Sequence, residues 1–291
     1  MIAVRAPATS ANLGSGFDVF GVALDRPADV VRVERAAETT IEVTGAGAQY
    51  IPEDPAKNTA GVVAAELGAP AHIRIDKGVR PSSGLGSSAA SAAGAAVALA
   101  ELYDRSLSDE ELVRIAAEGE AAVSGDAHAD NVAPAILGGF TVVRDDGIER
   151  VNADLSLVAC LPDIVVSTRD ARGVVPDSAA MSDVVDTVGS AATLVLGMCR
   201  NDPERVGRGF EEHVVTPARA ALVDGYADAC DAARDAGATG VTVSGAGPGV
   251  LAVCRERDQK RVAGALVGGF DDAGVDATAY RTTVGDGATI L

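Results

Sequence analysis

Residues 72–103 read HIRIDKGVRPSSGLGSSAASAAGAAVALAELY, and the order of elements within this stretch sets the fold class. His72, Ile73, Arg74 and Ile75 alternate polar with apolar, the period of a half-buried strand. The next block, Pro81–Ser91 (PSSGLGSSAAS), is a Gly/Ser-rich turn. From Ser87 to about Tyr103 alanine dominates, which favours a helix. A strand feeding a helix through such a loop aims unpaired first-turn amides, with the helix dipole behind them, at whatever sits over the loop. That suits a phosphate. Serine hydroxyls there can donate to phosphate oxygens or ligate Mg²⁺. A flexible strand–helix connection capped by serine explains the same letters. The Walker A pattern is absent, because none of the three lysines (Lys57, Lys77, Lys260) follows a glycine. GxGxxG is absent from the loop as well.

Downstream, Ser108-Asp-Glu-Glu111 has the form of a capping box. The helix it starts runs to about Ser124, with Leu112, Ile115, Ala116, Gly119 and Val123 along one face. Glu120 falls on that apolar stripe. A carboxylate there is costly unless paired or bound to metal. It is therefore either a helix-flank ion pair or an Mg²⁺ ligand beside a loop serine. HADN, residues 128–131, follows and reads as a loop with three hydrogen-bonding side chains. Upstream, residues 6–24 (APATSANLGSGFDVFGVAL) place Thr9, Ser10, Asn12 and Asp18 among glycines. The run is too long for a hairpin turn and too polar for core, which fits a small polar ligand or a decorated hairpin. Near the other end, residues 243–250 (VSGAGPGV) form a strand running into a glycine turn.

Strands are expected at Ile2–Ala6, Asp29–Arg35, Thr39–Thr44, Gly138–Arg144, Leu155–Leu161, Gly240–Ser244, Gly249–Cys254 and Val275–Tyr280. Helices are expected at about Asp186–Arg200, from Pro203, at about Tyr226–Ala236 and at about Arg257–Phe270. Helices and strands mix in both halves, which predicts an α+β protein. The charged, glycine-containing stretch 145–152 is the best boundary. It divides the chain into domains 1–150 and 151–291.

The chain has 291 residues, with 42 Asp plus Glu against 24 Lys plus Arg, a net charge of −18. Phosphate-backbone binding needs a basic surface, so nucleic acid is excluded as a partner class, and an anionic membrane surface with it. With 47% hydrophobic residues the chain is not disordered. An acid-rich, lysine-poor surface fits adaptation to salt, with ordinary acidity and a preference for arginine as the alternative. Cysteines at 160, 199, 230 and 254 form no CxxC pair, so no zinc framework is expected. Cys160 and Cys254 read as small core residues. The N-terminus carries no apolar signal core. Residues 81–100 are uncharged, but five serines and three glycines make them too polar for a bilayer span. These features predict a reduced, cytoplasmic protein.

The five polar segments, in this order, resemble the motifs of the GHMP kinases. The middle loop matches their ATP motif at Pro81, Gly84, Leu85, Ser87, Ser88 and Ala89. TSANLGSGFDVFG (9–21) and HADNVAPAILGGF (128–140) resemble the subgroup that phosphorylates homoserine. The resemblance covers the chain nearly end to end. It implies an N-terminal domain like domain 2 of ribosomal protein S5, with a left-handed β-α-β unit around the phosphate loop. It also implies a ferredoxin-like C-terminal domain. The implied activity is ATP- and Mg²⁺-dependent transfer of a phosphoryl group to homoserine, in threonine biosynthesis, by a homodimer. Mevalonate, shikimate and sugars are the alternative substrates of the same fold, and a silent nucleotide-binding module is the alternative role.

Carried over position by position, the resemblance implies that Pro81, Ser82, Ser83, Gly84, Leu85, Gly86, Ser87, Ser88, Ala89, Ala90 and Ser91 bind ATP, with Asn58 beside the adenine. Ser88 and Glu120 would ligate Mg²⁺. Asn12, Asp18 and Thr168 would act at the reacting end. Asn12, Asp18, His128, Asn131, Arg172 and Arg219 would bind the amino-acid substrate, the arginine forks clamping its carboxylate. Many members carry Ser or Thr where this chain has Gly249, so Gly249 is expected to contribute no side-chain contact. The first motif has no lysine and Asp18 is its only acid, so little or no protein base is expected. Loose phosphoryl transfer tolerates that.

Overall fold

The described strands of this protein sort into two sheets, and the chain passes between them twice. The structure, a computed structural model, describes residues 1–125 and 129–291. The elements in chain order are β1 (Ile2–Ala11), β2 (Phe20–Arg35), β3 (Thr40–Gly45), α1 (Thr59–Glu66), β4 (Ala71–Lys77), α2 (Ser87–Leu102), α3 (Asp109–Ser124), α4 (Ala129–Leu137), β5 (Phe140–Arg144), β6 (Gly147–Val151), β7 (Ser156–Pro162), α5 (Thr168–Gly173), α6 (Met181–Arg200), α7 (Pro203–Gly209), α8 (Val215–Ala220), α9 (Tyr226–Asp235), β8 (Ala238–Val243), β9 (Val250–Cys254), α10 (Gln259–Asp272), β10 (Ala277–Thr283) and β11 (Thr289–Ile290).

The first sheet runs β11-β1-β2-β4-β3, with β5 and β6 added beyond β2. Among the described residues only β3 and β4 pair in parallel, joined by the crossover that contains α1. The second sheet is antiparallel, in the order β10-β7-β9-β8. Helices α1 to α4 cover one face of the first sheet. Their alanines let α2 lie close on β1 and β2, and the core there is Ala92, Ala96 and Leu99 against Val31, Val33 and Ile73. A second cluster, including Leu24, Phe140, Leu157, Met198 and Leu251, packs residues of both sheets together. The outer face of the second sheet is covered by α9 and α10 through Cys230, Leu266 and Phe270. This is the mixed α+β architecture that the sequence predicts.

The capping box forms as read: Ser108 Oγ accepts from Glu111 N at 3.3 Å and Glu111 Oε2 accepts from Ser108 N at 2.8 Å. Three expectations change. First, β1 extends to Ala11 and β2 begins at Phe20, so Thr9 and Ser10 are fully buried strand residues, not part of a loop. Second, Asp130 and Asn131 lie in the first turn of α4 and not in a loop. Third, part of the stretch 145–152 is strand β6, and the change of sheet comes after it, between Val151 and Ser156. The division at 150 stays a proposal. The last strand, β11, pairs with β1 of the first sheet.

Cys160, Cys230 and Cys254 are buried and unpaired, as core residues are; Cys199 is exposed. Among the described residues one helix, α6, is long and apolar enough to cross a membrane by length and composition.

A net charge of −18 repels itself across this surface, and molar salt shortens the screening length to about 3 Å. Lowering KCl from about 3 M to about 0.2 M is expected to lower the melting temperature by roughly 5–10 °C. Unchanged melting across a KCl series would remove salt adaptation as the explanation of the charge.

Candidate active site

One cavity of about 350 Å³ gathers residues from both halves of the chain. The loop between β4 and α2 forms one side of it. Gly86 is the N-cap of α2 and has no side chain to cap with, so the first-turn amides of Ser87, Ser88 and Ala89 have no capping side chain. These are the groups that hold an anion at a helix start. Ser82, Ser83, Gly84, Gly86, Ser87, Ser88, Ala89 and Ser91 line the cavity with Pro81. Leu85 and Ala90 do not; both are fully buried in the core, which anchors the loop from behind. Ser87 Oγ donates to Val79 O at 2.7 Å, so this hydroxyl braces the loop.

Beneath the loop lies a pair that sequence reasoning missed. Lys77 Nζ is in contact with Asp29 Oδ2 and donates to Ser87 O at 2.7 Å and to Ser91 Oγ at 2.8 Å. Asp29 Oδ1 accepts from the backbone N of Gly78 and of Val79, each at 3.0 Å. Both residues are buried. Burial pulls the Lys77 ammonium below its usual range, opposed by Asp29. The signal was present: in β4, Ile73, Ile75 and Lys77 share the inward face, so Lys77 breaks the apolar stripe as Glu120 does. Removing one member of a buried pair strands the other. Lys77→Met is therefore expected to cost about 3–5 kcal/mol of stability, measured by urea unfolding at constant KCl.

Glu120 reaches the cavity from α3. Ser88 Oγ donates to Glu120 Oε2 at 2.8 Å. The residue is 2% exposed, and burial lifts its carboxyl to about 7, against the pull of Ser88 and Lys77. Hydroxyl and carboxylate oxygens are hard donors of the kind Mg²⁺ takes, and this ion usually adds phosphate oxygens and water to one or two protein ligands. The donor set fits. Among the described residues no group of three or more His, Cys, Asp or Glu side chains forms a protein-only metal cage.

The opposite wall is charged. The turn after β1 holds Asn12, Leu13 and Asp18 at φ of 70°, 49° and 57°, a left-handed conformation rare for such residues and concentrated at functional sites. Asn12 Oδ1 accepts from Asp18 N at 2.9 Å and fixes the turn. Arg172, from α5, meets Asp18 Oδ2 at 2.6 Å. Arg219, from α8, is 5% exposed and donates to Gly245 O at 2.8 Å and Ala171 O at 3.3 Å. Both guanidinium groups lie about 5 Å over the Phe17 ring, at 5.2 and 5.0 Å. The buried Glu212 carboxylate accepts from the backbone N of Val215 and Thr216 at the start of α8, which orients that short helix. Asn131 Oδ1 accepts from Thr9 Oγ1 at 2.9 Å. Asn58 and Thr168 also line the cavity; Asn58 caps α1, accepting from Ala60 N at 3.0 Å. His128 lies outside the described residues.

The 244–249 turn closes the cavity from the second sheet. Ser244 Oγ donates to Gly84 O at 2.7 Å and lies within hydrogen-bond distance of Ser10 Oγ at 2.8 Å, and Gly249 N donates to Ser83 O at 3.1 Å. A Cβ on Gly249 would fall 2.4 Å from Ser83 O. Here the absence of a side chain at 249 lets the two loops touch.

The model for the GHMP kinases N terminal domain matches residues 55–139, and that for GHMP kinases C terminal matches residues 194–271. The chain is 76% identical to a homoserine kinase of Halobacterium salinarum, over all of this chain and 97% of that protein. It is 68% identical to a homoserine kinase of Halorubrum lacusprofundi, over all of this chain and 99% of that protein. It superposes on a crystal structure of homoserine kinase from Cytophaga hutchinsonii with a TM-score of 0.92 at 35% identity, covering 100% and 97% of the two chains.

Proposed function

The chain belongs to the GHMP kinase family, and on that premise we propose that it is a homoserine kinase, transferring the γ-phosphoryl group of ATP to the side-chain hydroxyl of L-homoserine to give O-phospho-L-homoserine for threonine biosynthesis. One observation carries the reading: a single cavity has an anion-receptive helix start with Ser88 and Glu120 on one side and two arginines with Asp18 on the other. A polyphosphate suits the first side and a zwitterionic amino acid the second.

ATP lies along Ser82–Ala89, its phosphates facing the first-turn amides of α2, with Asn58 toward the base. Ser88 and Glu120 would hold Mg²⁺, an ion that would supply charge neutralisation on the transferring phosphates. Arg172 and Arg219 present planar forks to the substrate carboxylate. Asn12, Asn131 and Thr168 line the pocket and orient the hydroxyl, and His128 is a substrate contact on the family resemblance alone. Asp18 is occupied by Arg172 at 2.6 Å, so it serves binding and not proton removal. Rate enhancement then comes from alignment and from fixed dipoles that meet the developing charge. A cytoplasmic location and a homodimer, without nucleic-acid or membrane partners, belong to the same reading.

The test is turnover of homoserine, mevalonate, shikimate and galactose with MgATP in high KCl. Homoserine is expected to lead by a wide margin in kcat/KM. A lead for another alcohol would replace the substrate, and ATP binding without turnover of any would replace the enzyme with a binding module.

A further inference from the structure

Helix α6 turns an apolar stripe outward. Its inner face is core: Leu194, Gly197 and Met198 are buried, and a Cβ on Gly197 would strike Val206 of α7. On the other side Met181, Val184, Val185, Val188 and Leu196 are between 42% and 75% exposed. Ala192 and Cys199 are exposed among them. At the helical period these residues share one side of α6, over a length of about 27 Å.

Single exposed apolar residues need no explanation, but a contiguous patch marks a contact surface. The net charge is −18, yet no residue from 187 to 199 is charged. Gly189, in the middle of the stripe, is a separate observation. Glycine inside a helix is destabilising relative to alanine. A Cβ there would meet nothing within 4 Å, so the fold of this chain does not require it. Close approach of another surface would.

The stripe is complementary to itself. Asp186 and Arg200 lie on the same flank of it, and Gly189 and Leu196 lie within it. The two pairs are centred on the same point, beside Ala192. A twofold axis there, with two α6 helices antiparallel, seats Leu196 of each copy over the partner's Gly189 and sets Arg200 beside the partner's Asp186. A parallel pair would set Arg200 against Arg200.

We propose that two copies of this chain associate through antiparallel α6 helices about a twofold axis beside Ala192. This rests on, and locates, the homodimer of the reading above. Two bodies of this charge repel each other, and an uncharged stripe is where they meet at least cost. Molar salt screens the repulsion beyond about 3 Å and leaves the apolar contact in place, so the pair tightens as KCl rises. The flanking charges fix direction more than they add affinity.

Sedimentation equilibrium compares wild type with Val188→Asp in KCl at about 3 M and about 0.2 M, where the screening lengths differ severalfold. Wild type is expected to be a dimer in high salt and to dissociate more readily in low salt. Val188→Asp puts an unpaired carboxylate into each half of the interface and should raise the high-salt dissociation constant roughly 100-fold or more. Val188 is exposed in the single chain, so the variant should fold, as far-UV circular dichroism and homoserine turnover report. If it does not fold, Val185→Asp is read in the same way. Turnover of homoserine by wild type tests the kinase reading separately. Mild oxidation with diamide reads the orientation. Ala192→Cys should cross-link across the axis. Native Cys199 should not, because antiparallel pairing holds the two thiols about 20 Å apart, beyond disulfide reach. A wild-type monomer in high salt, a dimer that loosens as KCl rises, or a dimer that Val188→Asp leaves equally tight would overturn the proposal. So would a cross-link through Cys199 or none in Ala192→Cys.

Discussion

Glu120→Gln is expected to lower kcat/KM with MgATP by about 10³-fold while making the metal-free protein more stable at pH 8. The two effects have one origin. Glu120 is 2% exposed, and its folded carboxyl titrates at about 7 against an ordinary 4.5. The folded state therefore holds a proton that the unfolded state has released between those values, and stability falls as pH rises through the window. Above pH 7 the ionised carboxylate is fully costly, by about 3 kcal/mol. Glutamine keeps the shape, can still accept from Ser88 and never ionises. It also removes the anion that would hold Mg²⁺. In wild type, the apparent Mg²⁺ affinity should weaken about tenfold per pH unit below 7, as the proton competes with the metal. Melting at pH 6 and pH 8, with and without Mg²⁺, separates these effects. Equal stabilisation of both proteins by Mg²⁺, or full activity in the variant, would remove Glu120 from the metal site.

Arg219→Ala is expected to lower kcat/KM for homoserine by about 10³-fold, chiefly through KM, with the ATP KM within a few-fold of wild type. The side chain is buried over Phe17 and ties Ala171 of α5 to Gly245 of the closing turn. Its loss would delete one fork of the proposed carboxylate clamp and leave two carbonyls without their donor. Truncating a buried, hydrogen-bonded charge typically costs about 2–5 kcal/mol, which is the size of this loss. Arg219→Lys should recover little, because an ammonium cannot bridge both carbonyls and face a carboxylate in one plane. Steady-state kinetics with each substrate varied in turn measures the split. An effect on ATP as large as that on homoserine would mean that Arg219 supports the cavity as a whole.

Much of this site could be read from letters alone, because its strongest signals are local. The Gly/Ser loop, the capping box and a glutamate on an apolar stripe each violate or satisfy a rule within one element. What escaped depends on distant partners. Lys77 and Asp29 meet only because β2 and β4 pair, Val30 lying opposite Asp76. Short helices such as α1, α5 and α8 carry too few residues for a periodic pattern, and α8 owes its start to Glu212 instead. The extent of β1 was hidden because Thr9 and Ser10, polar by type, are buried against the loops. Asp130 was visible as a letter in HADN, but its burial follows from the packing of α4 on β2.

The two crossings between the sheets lie side by side. The chain leaves the first sheet after Val151 and returns after Thr283, and Val284 N donates to Leu155 O at 3.2 Å where the passages meet. Return strand β11 is then stitched to β1. A single tether lets two bodies swing and twist freely. A doubled one behaves as a leaf of a door, favouring rotation about one line and resisting the rest. Any rotation of one sheet against the other would be steered along that line, and it would have to part Ser244 Oγ from Ser10 Oγ, 2.8 Å away across the seam.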